Sequence, residues 1–438
     1  MAGIVELTTE QVLALAPDAS ARGAARSVAK PKAWQNLGRS EAALWGECTG
    51  SALYQVRVSL ADLAGKCSCP SRKLPCKHAL GLLLMAVEAT ATIAAAPEPE
   101  WVASWMAQRS ATMAKKQARS EAPAKPADPK AQERRLEKRR AAVADGVEGL
   151  LLFMSDLVRQ GLAVLPSHPP SFWEQQAARL VDAQAPGLAA RVRAMGEIPG
   201  RAGWPETLLA ELGTTMLLCR AYQRIDALPV PLRADVLQLV GFTLERDEVI
   251  AAGDVARDRW AVIGQVVEDD ERLRVQRTWL HGESSRRQAL VVQFAFGRAP
   301  FPQPLLPGTT LEAELAFWPS AYPLRAIVTD AASSVTQLAT RLPGSDAIAL
   351  LLDEHGAAIA KMPWIARTPW VLRDVVPAPE PWRVIDRSGH AVATARHDGF
   401  AMLALSGGRP IDVVGEWDGH ALRPLAAFAE GAFHALAS

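Results

Sequence analysis

Apolar and polar positions alternate over residues 53–59, where Tyr54, Val56 and Val58 are separated by Gln55 and Arg57. A period of two marks a strand with one packed and one wet face. A second run of strand formers, ALWGEC (43–48), precedes it, with Thr49-Gly50-Ser51 between them. Together they predict a β-hairpin over 43–60. Residues 1–24 read as helical, with Val5, Leu7, Val12, Leu13 and Leu15 available for packing. The most apolar stretch, ALGLLLMAVEATATIAAA (79–96), contains Glu88, Thr90 and Thr92. A membrane span needs roughly 20 strongly apolar residues, so this stretch predicts a buried helix.

The pattern then changes twice. From Arg109 to Arg140 there are eleven Lys/Arg against four Asp/Glu, with Pro123, Pro126 and Pro129 among them, and Leu136 is the one branched aliphatic. That composition predicts a flexible basic linker passing into a helix near Ala131. Residues 141–245 carry helical spacing of apolar groups in segments separated by proline and glycine. From about 255 the period returns to two. RWAVIGQVVEDDERLRVQRTWLHG predicts a hairpin turning near Asp269-Asp270, and QALVVQFAFG and TLEAELAFWP add strands. A helical piece around 334–362 and a meander over 381–428 follow, with turns at Ser388-Gly389, Asp398-Gly399 and Gly407-Gly408.

Length and charge narrow the function classes. A chain of 438 residues holds about two to four domains. Its net charge of +1 gives no whole-protein pull toward nucleic acid or membrane, so any such attraction is local. Five cysteines are odd in number and too sparse for a disulfide framework. The N-terminus carries acids and no basic stretch before its apolar residues, so no secretory signal is expected. A reducing cytoplasm fits these features.

Candidate chemistry is concentrated in KCSCPSRKLPCKHALGLLL (66–84), which spaces Cys67, Cys69, Cys76 and His78 as C-x-C-x6-C-x-H. Thiolate and imidazole suit a tetrahedral zinc ion. Four protein ligands close its shell, so the site is structural; catalytic zinc keeps one position open. Such a site supplies folding energy, on the order of 10 kcal/mol or more in apparent terms. Lys66, Arg72, Lys73 and Lys77 surround it in sequence, with Arg57 on the strand before. They are counter-charges to a thiolate-rich site, or they face a nucleic acid or an acidic partner.

These residues resemble the SWIM zinc finger, defined by C-x-C, a variable gap and C-x-H. LWGECTGS, YQVRV and CSCPSRKLPCKHALGLLL together look like the finger of bacterial SWIM proteins, with a hairpin before it and a helix after it. The resemblance implies one structural Zn2+ held by Cys67, Cys69, Cys76 and His78. It also implies binding to protein or DNA, and neighbours among MoxR-type AAA+ ATPases and proteins with von Willebrand A domains.

The fold expected is α+β and multidomain: a small zinc-bound hairpin-plus-helix module, a helical middle region and a β-rich C-terminal half. The boundaries are 1–100 for the finger module with its N-terminal helix, 101–140 for the linker and 141–250 for the helical region. A β-rich domain over 251–345 and a second α/β region with a meander over 346–438 complete the chain. No phosphate loop, dinucleotide fingerprint or nucleophile elbow is present. The group DEHG (353–356) reads as a loop or helix end with solvated charges. The function expected is therefore a non-enzymatic zinc-binding scaffold or adaptor, with a protein partner and no membrane or small-molecule substrate. The alternative is a DNA- or RNA-binding protein using the basic loop and linker.

Overall fold

The computed structural model describes residues 7–17, 19–60, 63–71, 73–121, 129–270, 273–297, 301–338, 341–394 and 399–436. The N-terminal module joins helices α1 (Thr9–Ala14), α2 (Ala19–Val28) and α3 (Lys77–Glu88) to an antiparallel sheet. Its strands β1 (Trp34–Arg39), β2 (Ala43–Thr49), β3 (Leu53–Ser59) and β4 (Gly65–Cys67) lie in sequence order. The expected hairpin is β2–β3. The flanking strands carry weaker patterns, since β1 is interrupted by an irregularity between Gln35 and Gly38 and β4 has three residues. One sheet face supplies Leu44, Val56 and Val58 to a core closed by Leu80, Leu83 and Leu84 of α3. Helices α2 and α3 approach closely at Gly81, where a Cβ would sit 2.7 Å from Val28 and 3.4 Å from the Ala25 carbonyl.

Of the stretch expected to be a linker, 101–121 is helical instead, while the helix expected near Ala131 does begin there, at Pro129. Helix α4 (Glu100–Glu121) packs Val102 on Ala43 and Trp45 of the sheet, and its Lys, Arg, Gln and Ala residues are good helix formers. Helix α5 (Pro129–Gln160) opens on proline, where a missing N–H removes no helical bond. Pro123 and Pro126 lie outside the described residues.

Helices α6 (Pro170–Asp182), α7 (Pro186–Gly196), α8 (Trp204–Gln223) and α9 (Val230–Val240) pack with α5 around Leu150, Met154, Trp173, Leu188 and Val236, and α10 (Arg246–Ala251) follows. Cys219 belongs to this core, and burial pushes its thiol up to about 12. It is an inert apolar residue, as its neighbours Leu217 and Leu218 suggest.

Five strands then close into a barrel: β5 (Val255–Asp270), β6 (Leu273–Gly282), β7 (Gln288–Phe296), β8 (Thr309–Phe317) and β9 (Arg325–Gln337). Their order is β5-β6-β7-β9-β8, closing on β5, with β7 and β9 parallel and the other pairs antiparallel. This Greek-key connectivity is that of an OB-type barrel. Trp260, Val262, Leu280, Leu315 and Phe317 fill the interior, and Trp260 donates its indole N–H to the Ala313 carbonyl at 3.1 Å. Strand β5 pairs with both β6 and β8, and an irregularity between Val262 and Gly264 bends it.

The C-terminal region holds α11 (Ile348–Lys361), β10 (Thr368–Ala378), β11 (Arg383–Ile385), β12 (Ala391–Ala393), α12 (Gly399–Ser406), β13 (Ile411–Trp417), β14 (Leu422–Ala429) and β15 (Ala432–Ala435). The sheet order is β12-β11-β10-β13-β14-β15. Two expectations change here. The meander is interrupted by α12, whose FAMLALS lacks alternation and is rich in helix formers. The helical piece starts at Ile348, because 334–337 belong to β9.

The units share surfaces. Leu306, from the loop before β8, enters the N-terminal core, and Gln11 donates to the Gly308 carbonyl at 3.3 Å. Trp364 bonds the Thr214 carbonyl at 2.9 Å, tying the C-terminal region to α8. The outer barrel face, with Ala261, Val266 and Trp279, packs on Val371, Val414 and Leu425. Within that seam Glu416, 1% exposed, accepts from the Trp279 indole at 2.8 Å and from Arg277 Nε at 3.5 Å. Arg277 also forms a two-pronged pair with Glu268 at 2.7 and 3.0 Å. Replacing Glu416 by alanine leaves the buried Trp279 indole donor without an acceptor and takes one of two carboxylates from Arg277, which keeps Glu268, at an expected cost of about 1–3 kcal/mol. Calorimetry should show a lower melting temperature for Glu416→Ala, and Glu416→Gln, which keeps an acceptor for Trp279, should lose less.

Candidate metal centre

Four ligand atoms converge at the edge of the N-terminal sheet. Cys67 ends β4, which pairs with β3 through Val56↔Cys67, Arg57↔Lys66 and Val58↔Gly65. Ser68 locks the exit, since its N–H donates to the Gln55 carbonyl at 3.0 Å and its hydroxyl accepts from Gln55 N–H at 2.9 Å. Cys69 follows two residues on. Cys76 is the N-cap of α3 and His78 lies in its first turn. Thus one ligand pair leaves the sheet and the other enters the helix. The Sγ atoms of Cys67, Cys69 and Cys76 and a ring nitrogen of His78 all lie within 4.8 Å of one another. Cys67 Sγ is 3.6 Å from His78 Nδ1. A zinc tetrahedron with ordinary bond lengths has sulfur-to-nitrogen edges of about 3.6 Å.

The electrostatics fit a cation. The Cys76 thiol is held down to about 4, first by the hydrogen bond from Cys67, then by the His78 ring and the N–H groups of Ala79 and His78 at the helix start. That same bond, with burial, pushes the Cys67 thiol up, and burial raises Cys69. The protein's own groups therefore stabilise one thiolate, and three adjacent thiolates need a positive ion among them. The donor set fits one structural zinc ion, with Cys67, Cys69 and Cys76 as thiolates and His78 as the imidazole ligand.

Surrounding residues divide into two groups. Tyr54 stacks on the His78 ring, with centroids 5.0 Å apart, and so orients a ligand. Its place on the packed face of the alternating strand was the signal for it. Cys48, opposite Tyr54 in the sheet, is fully buried, and burial raises its thiol. The cations expected around the site are not all on one open surface. The Arg57 guanidinium lies 5.1 Å from the Trp101 ring and 5.8 Å from Trp105, and its Nε is buried without a hydrogen-bond partner among the described residues. Burial lowers its pKa while Cys67 opposes that shift. Trp101 and Trp105, spaced to share a helix face, thus hold the cation of the adjacent strand. Lys66 and Lys77 are exposed, Lys73 is half-buried, and Arg72 lies outside the described residues.

Residues 54–86 match the SWIM zinc finger family, and residues 138–240 match the SWIM-associated four-helix bundle domain. The chain is a SWIM domain-containing protein. The SWIM finger thus spans β3 to most of α3, and the associated domain runs from within α5 through α9. A SWIM finger points to zinc binding and to interaction with protein or nucleic acid. The searches of curated proteins and of solved structures returned no match. Among the described residues of this SWIM protein, no helix is long and apolar enough to cross a membrane.

Elemental analysis of protein purified without chelator should find one zinc per chain. The Cys67→Ser/Cys76→Ser double variant should lose it, with faster amide exchange across β4, residues 68–76 and the start of α3. Retention of both metal and protection would refute the assignment.

Proposed function

We propose that this SWIM protein is a non-enzymatic scaffold whose zinc-stapled finger presents a protein-docking module, serving a MoxR-type AAA+ ATPase and von Willebrand A domain system in a reducing cytoplasm. The observation that carries this reading is the closed donor set: with three sulfurs and one imidazole there is no ligand position for a substrate. The finger's core also reaches the barrel through Leu306, so a partner bound to the finger is held in register with the other units. Co-purification from the native cell with zinc present tests it. An AAA+ or von Willebrand A protein should be recovered with the wild type and lost with the Cys67→Ser/Cys76→Ser variant; recovery of the protein alone would count against it.

A second reading, binding of single-stranded nucleic acid, is favoured by a different observation. In OB-type barrels the outer face of the second and third strands binds oligonucleotides, and stacking on aromatic rings supplies sequence-tolerant affinity. Here those strands are β6 and β7, and Phe294 and Phe296 on β7 are 48% and 74% exposed. The basic residues of α5, Arg134 to Arg140, add charge elsewhere on the chain. A fluorescent oligonucleotide should bind with an affinity that falls steeply with salt. Phe294→Ala/Phe296→Ala should weaken binding by about tenfold or more. A flat salt response would remove this reading.

A further inference from the structure

We propose that the cleft at the seam between the barrel and the C-terminal sheet binds the phosphate group of a small molecule. The cleft has a volume of about 440 Å3 and is lined by Glu283, Arg286, Arg341, Leu342, Pro343 and Arg373. Pockets for small ligands fall in about this size range and favour domain boundaries. Its walls come from both units: Glu283 and Arg286 from the β6–β7 turn, Arg373 from β10, and 341–343 from the segment after β9.

The charges inside are not balanced. Arg341 is neutralised by Asp412, which it grips with Nε and Nη2, and by Asp374 at 2.8 Å. Glu283 is drawn to Arg259 at 3.6 Å. Arg286 and Arg373 have no ion-pair partner among the described residues, and Arg373 Nε is buried without any hydrogen-bond partner. A buried donor left unpaired is costly and calls for an explanation. A bound oxyanion supplies one.

A second orphan lies at the same end of β6. His281 is 8% exposed, and both its ring nitrogens are buried without partners among the described residues. Burial first, and then the charge of Arg286, hold it below the usual histidine range. The neutral ring, one donor and one acceptor nitrogen, is thus electrostatically coupled to a cation that lines the cleft. The free guanidiniums come from separate elements, which suits a tetrahedral phosphate offering three oxygens better than a planar carboxylate offering two.

The test uses the zinc-loaded full chain, titrated calorimetrically at constant ionic strength with inorganic phosphate, with a nucleoside monophosphate and with acetate. Both phosphate probes should bind and raise the melting temperature, and acetate should do neither. Tighter binding of the nucleotide identifies a phosphate ester as the ligand, and equal binding identifies phosphate itself. Arg286→Gln and Arg373→Gln should each weaken binding by about tenfold or more. Arg373→Lys, which keeps the charge but loses the fork, should fall between, with zinc content and circular dichroism unchanged in all three. Absence of binding at millimolar phosphate, or binding that survives Arg286→Gln/Arg373→Gln, would overturn the proposal.

Discussion

Three sulfurs and an imidazole nitrogen crowded within 4.8 Å cannot all present electron pairs to one another without a cation between them. The local backbone stabilises a single thiolate at Cys76, where the α3 N-terminus and Cys67 both donate. An ion that satisfies the rest joins the exit of β4 to the entrance of α3. The consequences extend beyond four ligands. Pinning β4 fixes the register in which Arg57 faces Lys66, and Arg57 in turn reaches Trp101 and Trp105 of α4. The metal therefore bears on how the finger meets the long helices that lead to the SWIM-associated bundle.

The C-terminal half uses a different device. Its barrel has an apolar outer face, which would be a liability in water. Strands β10, β13 and β14 cover part of it, and the buried Glu416 receives donors from the barrel's Arg277 and Trp279 across the seam. What the sheet leaves uncovered is chemically informative. The end of β7 keeps Phe294 and Phe296 in solvent, and the seam also opens into a cleft where Arg286 and Arg373 have no ion-pair partner among the described residues. A structural zinc module and ligand-competent surfaces are thus carried on separate units.

Much of this was legible along the chain where one short-range pattern dominates. The β2–β3 hairpin, the apolar α3, the helical middle and the β5–β6 hairpin follow from periodicities of two and 3.6, and the metal ligands follow from four donors in twelve residues. Patterns failed where local signals competed. Prolines suggested a linker through 101–140, yet residues 100–121 are good helix formers anchored by Val102 against Ala43 and Trp45. FAMLALS sat among strands and was expected to continue them, although it lacks alternation.

The sequence by itself determined the ligand set and its closed character, because C-x-C and C-x-H bring donors together through a few bonds of chain. It also determined which stretches bury an apolar face. Tertiary structure alone decided the barrel's connectivity, since the parallel pairing of β7 with β9 joins residues 35 apart, Leu290 and Arg325, and no local pattern encodes that choice. It likewise decided that Arg57 is enclosed by tryptophans while Arg286 and Arg373 share an open cleft. A charged residue reads the same in sequence wherever it stands; its role depends on what the fold places within a few ångströms of it.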